Sequence, residues 1–119
     1  MRILQHCFRV YVESDALENA IAFYEQAQDL KCERRVKIAE TGVEAAKIGG
    51  FLVLSGSAEK LAPVRHVEAL FYVDSLDAFA SWLRANGAEI IVEPRAVTGG
   101  RNLHARNPDG LVVEYFEAA

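Results

Sequence analysis

From His6 to Val12 the chain alternates. Phe8, Val10 and Val12 fall on one face and Cys7, Arg9 and Tyr11 on the other, which predicts a half-buried strand. The period then changes. Leu17, Ala20, Ile21 and Tyr24 recur at helical spacing and predict an amphipathic helix, with Ser14 or Asp15 placed to cap it and its end near Gln28. Cys32 to Ala39 and Val43 to Ile48 read as strands around the turn Glu40-Thr41-Gly42. Gly49-Gly50 turns the chain into a further strand, Phe51 to Leu54. Ser55 to Pro63 reads as a linker, too short to separate independent domains.

The second half repeats the order. Val67 to Val73 is expected as a strand, with Ala69, Phe71 and Val73 opposite His66, Glu68, Leu70 and Tyr72. Ser75 should cap a helix whose buried stripe is Leu76, Phe79, Ala80 and Leu83, ended by Asn86-Gly87. Glu89 to Val97 reads as a strand, with Pro94 marking an edge or a bulge. Gly99-Gly100 leads into Asn102 to Arg106. Pro108, Asp109 and Gly110 then reverse the chain into Leu111 to Phe116. That last strand carries one carboxylate, Glu114. An acid in such a run must be paired, bound to something, or facing a wet cavity.

The two halves also match in detail. Tyr11-Val12-Glu13-Ser14 recurs as Tyr72-Val73-Asp74-Ser75, and Gly50-Phe51-Leu52-Val53-Leu54 recurs in kind as Gly110-Leu111-Val112-Val113-Glu114. A repeat of this size is a supersecondary module that completes its core with a copy of itself. The prediction is α+β: two βαβββ modules, 1–57 and 64–119, within a single domain spanning 1–119.

Composition narrows the function classes. A chain of 119 residues with 51% apolar and 25% charged content fits one soluble globular domain. A net charge of −4 without a basic run argues against nucleic acid. No signal peptide is visible, and no apolar run approaches the ~18 residues of a membrane span, so a cytoplasmic protein is expected. Cys7 and Cys32 lack metal-type spacing and read as free thiols. No nucleophile elbow, phosphate loop or dinucleotide fingerprint is present.

Three stretches, Ala22-Phe23-Tyr24, Leu70-Phe71-Tyr72-Val73-Asp74 and Asn107-Pro108-Asp109-Gly110 with Glu114 beyond it, resemble the vicinal oxygen chelate superfamily of glyoxalases, bleomycin-resistance proteins and extradiol dioxygenases. The resemblance covers nearly the whole chain. It implies that the modules curl into a curved, incomplete-barrel mixed sheet around a cleft, and that the protein is a homodimer. Pairing of modules within one chain or by exchange between two both stay open. In metal-using members a divalent ion sits on His or Glu residues from the first and last strands of each module.

The repeat places those positions on this chain. Glu114 has Leu54 as its counterpart, and leucine cannot ligate a metal. The first-strand positions fall near Cys7 and Glu68, with His6 offered by a shift of register. Cys7, Glu68 and Glu114 would be an odd mixture of soft and hard ligands, so no metal is favoured; if one is bound, His66, Glu68 and Glu114 would hold it. The expected cleft lining is Arg9, Tyr11, Leu54, Leu70, Tyr72, Glu114 and Phe116, apolar walls with a few convergent polar groups, which suits a small organic molecule. Glu114 either pairs with Arg9, orients a ligand, or, if enclosed, acts as a catalytic base. His66 and Glu68 read equally as solvated residues, and His104 and Arg106 as residues that could face outward. The expected function is small-molecule binding of the glyoxalase/bleomycin-resistance type without the full metal site. The rivals are a metal-dependent lyase, isomerase or dioxygenase, and a non-catalytic protein-contact module.

Overall fold

The computed structural model describes residues 1–119. The fold is α+β and repeats βαβββ, as the periodicity predicts. β1 (Ile3–Val12) leads through a short 3-10 turn (Ser14–Ala16) into α1 (Leu17–Gln28), β2 (Arg34–Lys37), β3 (Glu44–Ile48) and β4 (Phe51–Ser55). After α2 (Ala58–Leu61) come β5 (Ala69–Val73), α3 (Leu76–Ala85), β6 (Glu89–Val97), β7 (Gly100–Arg106) and β8 (Val112–Ala118). No helix is long and apolar enough to cross a membrane. The chain divides into two compact units, Cys7–His66 and Met1–His6 with Val67–Ala119, so the first six residues group with the second half.

In the unit Cys7–His66 the strands lie in the order β2-β3-β4-β1, with β1 parallel to β4 and the other pairs antiparallel. Leu17 and Ile21 of α1 pack with Ala46, Ile48 and Val53 on one face of this sheet. Val10 and Val12 join them, but Phe8, which shares their face, is 67% exposed and stacks on Phe51. The opposite face carries Leu54, Val43 and Ala45, packed with Leu61 of α2. That helix lies where a plain linker was expected. One turn of helix is too short to persist on propensity alone. It is held because the Ser57 hydroxyl accepts the Lys60 N–H at 3.2 Å and Leu61 is 2% exposed. The expected cap of α1 does not form. Neither Ser14 nor Asp15 caps the helix, because both lie inside the 3-10 turn and Ala16 takes the cap position.

In the other unit the order is β5-β8-β7-β6, with the start of β1 next to β5. β5 and β8 run parallel, and β8, β7 and β6 antiparallel. Leu76, Phe79, Ala80 and Leu83 of α3 pack against Val73, Leu103, Val113 and Tyr115. Burying each of the leucine and phenylalanine side chains stabilises by about 2 kcal/mol, and the Ala80 methyl by less. Ser75 caps α3 by accepting the Ala78 N–H at 3.3 Å. β6 is the edge strand, and its register shifts between Ile90 and Val92 and again between Val92 and Arg95, next to Pro94. The β7–β8 turn is tight. Asn107 N–H donates to Leu111 O and Gly110 N–H to Asn107 O, both at 2.8 Å, while the Asn107 side chain accepts the Tyr115 hydroxyl at 2.9 Å. Gly110 stands at φ +99°, which a side chain would strain.

Candidate ligand-binding site

The β7–β8 turn sets the register that builds the site. With Arg106 opposite Val112, His104 falls directly opposite Glu114 and Asn102 opposite Phe116. Side chains alternate along a strand, so Leu103, Ala105, Val113 and Tyr115 point to α3, and Asn102, His104, Glu114 and Phe116 share the other face. β5 adds Leu70 opposite Glu114 and Tyr72 opposite Phe116.

This face is apolar except at its centre. Leu70 is buried and the Tyr72 ring meets Phe116 edge-on at 5.6 Å. Between them Glu114, Asn102 and His104 are 9%, 5% and 5% exposed. The Asn102 side-chain N–H donates to Glu114 Oε2 at 2.8 Å. The Asn102 carbonyl oxygen in turn accepts from Arg95 Nε at 3.2 Å. The buried carboxylate thus accepts from a neutral amide, whose oxygen in turn accepts from an exposed guanidinium on the edge strand.

Sequence reasoning missed Asn102 and Arg95. The signal was available for Asn102: counting outward from the Asn107–Gly110 turn puts His104 across from Glu114 and Asn102 one step along the same face. Arg95 was harder, because the register shifts around Pro94 decide which β6 residue meets Asn102. His104 does not face outward, since β7 alternation turns it to the Glu114 side. Arg106 lies on the same face but at the exposed end of β7, in an ion pair with Glu89.

The remaining predicted residues are placed as follows. Glu68 is exposed, and its Oε1 accepts the Val112 N–H at 3.3 Å, closing the start of the β5–β8 ladder. In the unit Cys7–His66, His66 is exposed and Leu54 is 2% exposed within its apolar cluster. Arg9 Nε donates to the Tyr11 hydroxyl at 2.8 Å, and that hydroxyl donates to Val64 O at 2.7 Å. The Arg65 guanidinium lies 5.7 Å from the Tyr11 ring centre. Cys7 is buried, its thiol 3.6 Å from Gly49 O, and burial pushes its pKa up. No three His, Cys, Asp or Glu side chains gather within reach of one ion.

A carboxylate among apolar walls can accept hydrogen bonds from a ligand, or take a proton from one, while the walls hold the ligand's carbon skeleton.

Comparison with known proteins supplies the family. Residues 4–115 match the family model described as Glyoxalase/Bleomycin resistance protein/Dioxygenase superfamily. Among solved structures, an uncharacterized protein from Methanosarcina mazei is 44% identical, with a TM-score of 0.87 over 100% of this chain and 95% of that one. Methylmalonyl-CoA epimerase from Mycobacterium tuberculosis shares 17% identity at a TM-score of 0.73, covering 98% and 89% of the two chains. The Streptomyces coelicolor methylmalonyl-CoA epimerase, in complex with 2-nitronate-propionyl-CoA, shares 19% at 0.68, covering 100% and 98%. At such identities the epimerases share the fold alone. No curated protein matches the chain.

Proposed function

The chain belongs to the Glyoxalase/Bleomycin resistance protein/Dioxygenase superfamily, and we propose that it binds a small organic molecule on the Glu114 face without the family's metal. The observation that carries this reading is the Asn102–Glu114 hydrogen bond set among Leu70, Tyr72 and Phe116. A buried carboxylate held by a neutral amide and flanked by apolar side chains is the composition of a pocket that orients an organic ligand.

The donor set does not fit a divalent ion. The counterpart of Glu114 in the repeat is Leu54, which has no donor atom and lies in an apolar cluster. Cys7 would have to ligate as a thiolate, and burial favours the protonated thiol. Glu68 directs a carboxylate oxygen to the backbone of β8.

A second reading makes the same site catalytic, with Glu114 taking a proton from the bound molecule. The burial of His104 directly opposite Glu114 supports it, because an imidazole there could return the proton. The methylmalonyl-CoA epimerases of this fold act as precedent for an acyl-thioester substrate. A homodimer is part of the proposal. Its support is the row Phe23, Tyr24, Phe51 and Phe8, in which Phe23 and Phe8 are 65% and 67% exposed. Sedimentation of the purified protein checks it, with a monomer at micromolar concentration counting against it.

A thermal-shift screen of metabolites, acyl-thioesters and aromatic antibiotics tests the binding reading. A ligand should raise the melting temperature of the wild type and not of Glu114→Leu. Equal stabilisation of both proteins would place the ligand elsewhere. No stabilisation by any compound would favour the protein-contact role instead.

A further inference from the structure

We infer that the chain carries a second small-molecule site, on the α3 side of the sheet, that takes an aromatic carboxylate. A cavity of about 540 Å³ opens there, within the unit of Met1–His6 and Val67–Ala119. Its floor includes Tyr115, whose side chain leaves β8 on the face opposite Glu114. The volume is that of a pocket for a small organic molecule. Phe79, Trp82 and Leu83 form the helix wall, because residues three and four apart share a face of α3. Phe71 of β5 meets the Tyr115 ring edge-on at 5.5 Å, and the Phe79 ring lies 5.7 Å from that of Tyr115. Phe79, Leu83 and Tyr115 are buried, whereas Trp82 and Ile3 at the rim are exposed. Large apolar side chains left open around a buried apolar floor gain by being covered.

The lining sets the chemistry of the ligand. Four of its side chains, Phe71, Phe79, Trp82 and Tyr115, are aromatic, and rings pack well on rings, edge-on or offset. The one hydroxyl, on Tyr115, donates to Asn107 Oδ1 at 2.9 Å, and burial pushes its pKa up, so the phenol adds no negative charge. Arg2 is the one charged side chain on the lining, and no acidic side chain joins it there. Arg2 meets Asp74 through its main-chain N–H at 2.7 Å, and its guanidinium forms no ion pair. A ring bearing a carboxylate would cover the apolar floor and bring its charge to Arg2. A neutral ring would gain the first and not the second, and a cationic one would oppose Arg2.

Titration of the full chain with 2-naphthoate and its neutral counterpart 2-naphthamide, followed in the ¹⁵N spectrum, tests this site. Trp82 is the only tryptophan, so its indole N–H gives one signal that reports on the rim. 2-Naphthoate at millimolar concentration should shift that signal saturably, together with the backbone signal of Asn107. 2-Naphthamide should bind about threefold more weakly, the worth of one exposed ion pair. Arg2→Gln should bring the two probes to equal affinity with the backbone spectrum retained, and Arg2→Lys should keep the preference. Salt at about 1 M should erase the preference in the wild type. Trp82→Ala, read at Asn107, should weaken both probes together. No shift of the indole signal by either probe would overturn the site, and equal affinities of the two for the wild type would overturn the ligand class. Shifts at the Asn102 side-chain amide with none at Trp82 would place the probe on the Glu114 face and overturn the second site while leaving the first. An indole signal that moves on dilution without any probe would show a second copy of the chain covering the cavity, and would likewise overturn the proposal.

Discussion

Replacing Asn102 with leucine removes the donor to Glu114 Oε2 while keeping a side chain of similar size. The bond is 2.8 Å long and both residues are buried. A hydrogen bond to a carboxylate contributes about 1.5–3 kcal/mol, so Asn102→Leu should cost about 2 kcal/mol. Glu114→Leu should cost less, about 1 kcal/mol, since it removes the buried charge itself and leaves Asn102 bonded to Arg95. The double variant replaces both partners by apolar groups and should lie within about 1 kcal/mol of wild type. Urea unfolding near neutral pH, with linear extrapolation, measures all four proteins. The coupling should come out near 2 kcal/mol, and Asn102→Leu alone should lower the melting temperature by roughly 8 °C in a chain of this size. A coupling below about 0.5 kcal/mol would refute the reasoning, because the amide and the acid would then not stabilise each other.

Three further outcomes follow from other parts of the molecule. Leu61→Ala should destabilise by about 2–4 kcal/mol in the same urea assay, because α2 is held down by that side chain, whereas Ser57→Ala should cost only about 1 kcal/mol. Cys7, with its thiol buried and its pKa pushed up, should resist iodoacetamide in the native protein while the more exposed Cys32 is alkylated, as read by peptide mass spectrometry; rapid labelling of Cys7 would contradict its burial. The Glu33 carboxyl is held below its usual value of 4.5 by the hydrogen bond from Lys47 at 3.0 Å, assisted by the Gly49 N–H. A lowered folded-state pKa stabilises above pH 4.5 and that contribution is lost as pH falls through the folded value. Glu33→Gln should therefore show a smaller loss of stability than wild type below pH 4.5, by a few tenths of a kcal/mol given the exposure of the pair.

Periodicity and turn chemistry carried most of the fold. The Leu76, Phe79, Ala80 and Leu83 stripe, the Ser75 cap and the turn before β8 were all legible, since each is decided by residues close in sequence. α2 was not, because a single turn forms only when Leu61 finds its tertiary cluster. The α1 cap failed for a related reason: Ser14 and Asp15 are good cap residues, but the chain tightens into a 3-10 turn that uses them. At the site, Glu114 announced itself as an acid in an apolar strand. Its partner Asn102 did not, because a neutral amide in an alternating strand carries no sign of what it faces until the β7–β8 register is known.

The central claim is that Glu114 is held by Asn102 to meet an organic ligand, and does not hold an ion. Metal analysis of the protein purified without chelator tests it most directly. The account predicts no divalent ion at stoichiometric level in wild type. One ion per chain that disappears in Glu114→Ala would contradict it.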